Sequence, residues 1–160
     1  MQVIENFLPE HIYNDISGIL LTQQFPWYYQ PSVASLDDNE DFYFTHRFYR
    51  DQKQQSPLFE RFIQPIIGRL GFDYLHRAVA NLYTKKNKHY QNNFHVDQFI
   101  EHVVGLYSLN TNNGYTLFED GQKVPSVANT MVLFNGKLRH ASVCQTDEKI
   151  RVNINFNFIR

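Results

Sequence analysis

Lys149-Ile150-Arg151-Val152-Asn153-Ile154-Asn155-Phe156-Asn157-Phe158 alternates apolar and polar side chains without a break. On a β-strand, residues two apart share a face. Ile150, Val152, Ile154, Phe156 and Phe158 therefore make an apolar face, with Arg151, Asn153, Asn155 and Asn157 on the other. An edge strand would leave the polar row to water, but asparagine is a poor strand former. Three of them in one strand point to a polar face turned inward, where every amide needs a partner. On such a face Arg151 is a buried guanidinium awaiting a carboxylate.

Working back from this strand, residues 73 to 148 break into short strands. They are expected at Tyr74–Thr84, Asn93–Val96, Val103–Ser108, Tyr115–Phe118, Gln122–Val124, Thr130–Asn135 and Arg139–Val143. Turn residues separate them: Lys85-Lys86-Asn87-Lys88, Asn110-Thr111-Asn112-Asn113-Gly114, Glu119-Asp120-Gly121 and Asn135-Gly136. Short strands at this spacing predict a mainly β (α+β) chain built as a double-sheet jelly roll, the cupin-like double-stranded β-helix.

The first 70 residues read differently. Val3–Leu8 alternates as a short strand. Pro9 opens a helix expected to run to about Gln23, with Ile12, Ile16, Ile19 and Leu20 in one stripe. Phe42–Arg50 reads as a strand containing His46, a core or surface histidine. Ser56 and Pro57 predict the start of a second helix ending at Gly71, with Pro65 an awkward residue inside it. These two helices are expected to buttress one sheet from outside. Phe25-Pro26-Trp27-Tyr28-Tyr29 reads as an aromatic plug, or else as a lip beside the substrate. Residues 31–41, ending in Asp37-Asp38-Asn39-Glu40-Asp41, read as a solvated loop with the composition of a lid.

Composition bounds the function. The 160 residues suit one domain, with helical support over about 9–70 and the jelly-roll core over about 74–160. A net charge of -1 gives no electrostatic footprint for nucleic acid or a membrane surface. The lone cysteine, Cys144, permits no internal disulfide and reads as a small buried residue, so a reducing, cytoplasmic setting is expected. The opening MQVIENFLPE lacks the basic and apolar regions of a signal peptide. Aromatics reach 16%, with 14 Phe and 10 Tyr, which suits a β-rich core around an aromatic-lined cavity.

The chemistry centres on Phe94-His95-Val96-Asp97-Gln98. On a strand, His95 and Asp97 project side by side, and the Asn-Gly turn after Met131-Val132-Leu133-Phe134 can return His140 beside them. Two imidazoles and one carboxylate on one face of a metal leave the opposite face open, the arrangement of non-heme Fe(II) oxygenases. The same donors suit Zn(II) or Mn(II), and spacing alone does not select iron. The residues leave open an oxygenase, another metal-dependent cupin-like enzyme with Arg151 gripping a different acid, and a jelly-roll binding module without turnover.

In this order, Asn81-x-Tyr83, His95-x-Asp97, His140 and Arg151-x-Asn153 resemble the 2-oxoglutarate- and Fe(II)-dependent dioxygenases, along the whole chain. The opening Val3–Pro9 and the Phe25–Tyr29 block are similar to small phage-type members with prolyl-4-hydroxylase-like cores, which would act in a host cytoplasm. Asn113–Gly121 is similar to the family's Gly-rich, Thr-containing strand. The resemblance implies that His95, Asp97 and His140 bind Fe(2+) and that Arg151 pairs with the distal carboxylate of 2-oxoglutarate. Tyr83 would bond the same carboxylate, and Asn81 or Asn153 would support cosubstrate binding. With dioxygen, such an enzyme hydroxylates a C–H and releases succinate and carbon dioxide. No catalytic residue beyond the metal ligands is implied. The substrate is an unidentified peptide, protein or small molecule, with a prolyl residue in a protein as the lead. The second arginine that nucleic-acid dealkylases carry near the end of this strand would fall at Asn157, against a DNA-repair reading.

Overall fold

The computed structural model describes residues 1–33, 41–72 and 74–159. The strands within them are β1 (Gln2–Ile4), β2 (Tyr28–Gln30), β3 (Tyr43–Arg50), β4 (Lys53–Gln54), β5 (Tyr74–Thr84), β6 (His102–Ser108), β7 (Asn112–Phe118), β8 (Lys123–Ser126), β9 (Thr130–Asn135), β10 (His140–Val143) and β11 (Ile150–Ile159). The helices are α1 (Glu10–Leu20), α2 (Phe59–Phe62) and α3 (Gln64–Leu70). The larger sheet has the order β1-β9-β6-β11-β5-β3-β2, with β4 attached to β3. The smaller has the order β10-β7-β8, and every pairing is antiparallel. Two antiparallel sheets joined in this way make the expected jelly roll.

The alternation of β11 organises both sides of the larger sheet. Val152, Ile154, Phe156 and Phe158 join Ile16, Leu20, Phe62, Ile63 and Ile66 in one apolar cluster, so the helices buttress the sheet's outer face. Burying each such side chain contributes about 1.5–3 kcal/mol. A smaller cluster of Val104, Phe118, Val124, Val132 and Phe134 draws on both sheets and fills part of the space between them. Arg151, Asn153, Asn155 and Asn157 are also buried, so β11 has no solvated face. It lies between β5 and β6, with Arg151 opposite Tyr83, Asn153 opposite Asn81 and Asn157 opposite Arg77.

Several expectations are corrected. The helix after Pro9 stops at Leu20, not near Gln23. The second helix is two short ones broken at Ile63, because Pro65 cannot sit deep in a helix but fits the first turn of α3. Gly71 closes α3 at φ 66°, as expected. Ser56 lies ahead of α2, where its hydroxyl accepts from the Leu58 N–H and bonds His46. Asn112, Asn113 and Gly114 belong to β7, not to a turn. β2 and β4 are too short for periodicity to find.

Residues 34–40, which hold most of the expected lid, lie outside the described residues. Asp41 at their end is not solvated: it is 2% exposed and pairs with Lys86 Nζ at 2.5 Å. The ammonium also stands over the Phe42 ring, so the Lys85–Lys88 loop is not merely a solvated turn. Phe25 is buried against Trp27, His46 and Phe48, whereas Tyr28 and Tyr29 are exposed on the edge strand. His46 is a core histidine. Among the described residues no helix is long and apolar enough to cross a membrane.

Candidate metal centre

Asn93–Val96 is not a regular strand. Two isolated bridges, Gln91 to Val143 and His95 to His140, lay the segment along β10. The His95 bridge exchanges both backbone bonds, each 3.0 Å, and Asp97 follows in a bend. The two histidines are thus neighbours across strands, and the bend rather than regular alternation brings Asp97 in. One donor atom from each of His95, Asp97 and His140 lies within 4.8 Å of the others. Asp97 Oδ1 is 3.7 Å from His95 Nε2 and 3.8 Å from His140 Nε2. Both separations are too long for hydrogen bonds.

The orientation of each donor has a cause. His95 Nδ1 bonds the Asn93 carbonyl at 3.2 Å, and His140 Nδ1 bonds the Leu138 carbonyl at 3.0 Å. A carbonyl only accepts, so these bonds put the proton on Nδ1 and leave the Nε2 lone pair free. His140 packs against the paired rings of Phe118 and Phe134. Its burial lowers its pKa more than the Asp97 charge raises it, which keeps the imidazole neutral. Asp97 Oδ2 accepts from Asn155 Nδ2 and Asn157 Nδ2, each at 2.9 Å. Burial alone would raise the carboxyl's pKa; His140, Arg77 and the two amides outweigh it and hold the group below its ordinary value. One oxygen is thus occupied by the protein, and the other faces the imidazoles.

Beyond these groups lies a small cavity of about 40 Å³ that reaches Arg151. Arg151 is 3% exposed. It donates to Ser142 Oγ at 2.9 Å, to the Val143 carbonyl at 3.1 Å and to Thr116 Oγ1 at 3.4 Å, while its Nε has no partner. Among the described residues no carboxylate lies within ion-pair distance of it. Tyr83 stands under the guanidinium at 5.4 Å and stacks on Tyr43. Burial pushes the Tyr83 phenol above its ordinary pKa, so it remains a donor. Asn81 Nδ2 donates to Asn153 Oδ1 at 3.0 Å, so these two amides face each other in the same cavity.

The structure therefore gathers His95, Asp97 and His140 at one point, and gathers Arg151, Tyr83, Asn81 and Asn153 along the cavity beside it. Sequence reasoning missed four partners. Ser142 and Thr116 fix Arg151 from the smaller sheet, and no local pattern signals them. Asn155 and Asn157 hold Asp97; the signal was there, since they share the inward row of β11 with Arg151 and Asn153. The site's chemistry fits a divalent metal with a dicarboxylate: two lone pairs and a carboxylate oxygen converge, and a buried cation with an orphaned N–H waits nearby.

No protein-family model matches the chain, and no curated protein sequence matches it. Solved structures do. An oxidoreductase of the 2OG-Fe(II) oxygenase family from Burkholderia pseudomallei superposes with a TM-score of 0.70 at 12% identity, over 98% of this chain and 83% of that one. A Pseudomonas putida prolyl-4-hydroxylase gives 0.62 at 15% identity, over 99% and 92%. A Trichoplax adhaerens prolyl hydroxylase, in complex with a hypoxia inducible factor oxygen degradation domain peptide fragment, gives 0.66 at 14% identity, over 99% and 82%. The chain has the fold of the 2-oxoglutarate- and Fe(II)-dependent oxygenases.

Proposed function

We propose that residues 1–160 form one 2-oxoglutarate- and Fe(II)-dependent oxygenase domain that hydroxylates a C–H bond, with a prolyl residue of a peptide or protein as the lead substrate. The observation that carries this reading is Arg151, a buried guanidinium with an unpartnered Nε and no carboxylate in ion-pair reach among the described residues. Leaving a buried charge without a counter-charge costs several kcal/mol. A dicarboxylate with one end at His95, Asp97 and His140 and the other at Arg151 would supply that counter-charge. The prolyl lead rests on two of the similar structures being prolyl hydroxylases, one of them holding a peptide.

In this mechanism His95, Asp97 and His140 would hold the metal. When bound, Fe(II) with 2-oxoglutarate and dioxygen supplies an oxidant: one oxygen atom enters the substrate as hydroxyl, the other enters succinate, and carbon dioxide leaves. The protein's residues orient the reactants. Asn155 and Asn157 fix Asp97, and the Leu138 and Asn93 carbonyls fix the imidazoles. Arg151 and Tyr83 would hold the far carboxylate, with Ser142 and Thr116 fixing the guanidinium. Phe118 and Phe134 keep water from the His140 side.

The test is anaerobic addition of Fe(II) and 2-oxoglutarate, followed by succinate release from labelled 2-oxoglutarate across a panel of peptides, amino acids and nucleotides. A weak visible charge-transfer band and substrate-stimulated succinate are expected. Arg151→Ala raises the 2-oxoglutarate requirement far more than it alters Fe(II) affinity. Metal binding without the band would point to another metal-dependent enzyme, and no tight metal binding would point to a binding module.

A further inference from the structure

We propose that the substrate of this site carries an oxyanion, a carboxylate or phosphate group, that is gripped by Arg77 together with Arg50. The proposal rests on the oxygenase reading for what happens to that substrate, but the anion site itself stands on separate observations.

A second cavity, of about 300 Å³, shares Asn81, Tyr83, His95 and Asn155 with the cavity that reaches Arg151, but its own lining holds Asp97, Arg77 and Arg50 and not Arg151. Arg77 and Arg50 form part of its wall. They are a directly paired cross-strand couple, Arg77 on β5 and Arg50 on β3. Like charges set opposite each other destabilise a sheet unless an anion joins them. Among the described residues Arg77 makes no ion pair, and it donates at 3.4 Å to the neutral Asn157 Oδ1. Among the described residues Arg50 pairs with its exposed chain neighbour Asp51 alone, at 3.4 Å. The nearby Asp97 offsets part of the Arg77 charge from a distance but makes no ion pair with either arginine, and its Oδ2 accepts from Asn155 and Asn157. Two guanidinium forks on adjacent strands match the geometry of a carboxylate or phosphate.

The rest of the wall agrees. Among the described residues its aliphatic side chains are Val33 and Val96 alone. A purely apolar substrate filling this cavity would strip water from the arginines and give nothing back. Tyr43 adds a neutral donor: burial raises its phenol pKa beyond the opposing pull of Arg77 and Arg47. The Lys85–Lys88 loop does not fill this role, since Lys86 is spoken for by Asp41.

The experiment uses metal-free protein carrying ¹⁵N-arginine, with the Nε–H resonances followed by NMR. The probes are blocked glutamate (acetylated and amidated), its glutamine twin, and methyl phosphate. Arg77 is expected to shift saturably with blocked glutamate, methyl phosphate or both, and at least about tenfold more tightly than with the glutamine twin, the margin of charge-assisted over neutral bonds. Arg61, remote on α2, stays put. Arg77→Gln abolishes the effect at Arg50, and Arg50→Gln weakens it at Arg77. Response to glutamate alone assigns a carboxylate substrate, and response to methyl phosphate alone a phosphorylated one. The proposal fails if neither anion saturates, if the glutamine twin binds equally well, or if Arg61 moves in parallel. Titrating 2-oxoglutarate into metal-loaded protein in the same spectra reads Arg151, so a failure of the cosubstrate reading shows at a different resonance.

Discussion

At the scale of single residues, Asp97 shows how the chain prepares a ligand. Its two oxygens are chemically alike until Asn155 and Asn157 take one of them. A hydrogen bond to a charged group contributes about 1.5–3 kcal/mol, and removing such support typically lowers metal affinity about 10- to 100-fold. Asn157→Ala should therefore weaken Mn(II) binding by that factor, measured by calorimetry, with an unchanged circular dichroism spectrum. Unaltered affinity in a folded variant would remove the positioning role. His46 is a counterexample, a histidine with a purely structural part. Its Nδ1–H donates to the Pro26 carbonyl at 2.9 Å, and its Nε2 bonds Ser56 Oγ at 2.8 Å. Burial lowers its pKa below the ordinary 6.5, against a smaller raising effect from Pro26. The unfolded chain then binds a proton more readily than the folded one, so stability is full above about pH 6.5 and falls as pH drops below it. The difference in urea midpoint between wild type and His46→Gln should shrink from about pH 7 to about pH 5. A difference that stays flat or grows over that range would show that the ring is not held neutral by the fold.

At the scale of elements, β7 and β11 meet at a position only glycine fits. A Cβ on Gly114 would lie 2.9 Å from Asn112 Oδ1, 3.0 Å from the Val143 carbonyl and 3.1 Å from Arg151 Cδ. Two of these neighbours are fixed by hydrogen bonding, so the arginine stem has to move. Gly114→Ala should destabilise by about 1–3 kcal/mol and weaken 2-oxoglutarate binding more than metal binding. Gly68, inside α3, has nothing within 4 Å of an added Cβ. Gly68→Ala should stabilise by about 0.5–1 kcal/mol, and the two urea midpoints moving in the same direction would refute this account. Legibility also divides at this scale. The bounds of β5 and β9 follow from the sequence, and β11 is displaced by one residue, because an apolar run closed by a turn and a period-two alternation are both local signals. The His95 segment is different: its place beside β10 comes from two isolated bridges, a contact across some 45 residues that no window contains. The burial of Asp41 has the same origin, since Lys86 is remote in sequence. Pro65 was legible as a disturbance but not as the start of a new helix.

At the scale of the whole molecule, the site is a seam. Asp97's asparagines and Arg151 belong to the larger sheet, and His140, Thr116 and Ser142 to the smaller one. The larger sheet is continuous with the N-terminal half through one apolar cluster from Phe7 to Phe158. Asn129 reinforces this by bonding both backbone groups of Leu8, each at 2.9 Å, and the Tyr107 hydroxyl at 2.8 Å. The two sheets share fewer apolar side chains, and polar residues occupy much of the space between them. Ligands that bridge the seam should therefore stabilise the entire chain, not a local loop. At a hundredfold excess over Kd, a ligand specific for the folded state adds about 2.7 kcal/mol. For a chain of this size that is a rise of about 5–11 °C in Tm. Mn(II) alone should give one such increment under argon, and 2-oxoglutarate added to it a second. Asp97→Ala should lose both increments, because the metal comes first. Arg151→Ala should keep the first and lose the second, because only the dicarboxylate's far end depends on it. An Arg151→Ala protein that retained the full 2-oxoglutarate increment would mean that the buried guanidinium serves packing alone, and that the acid binds elsewhere.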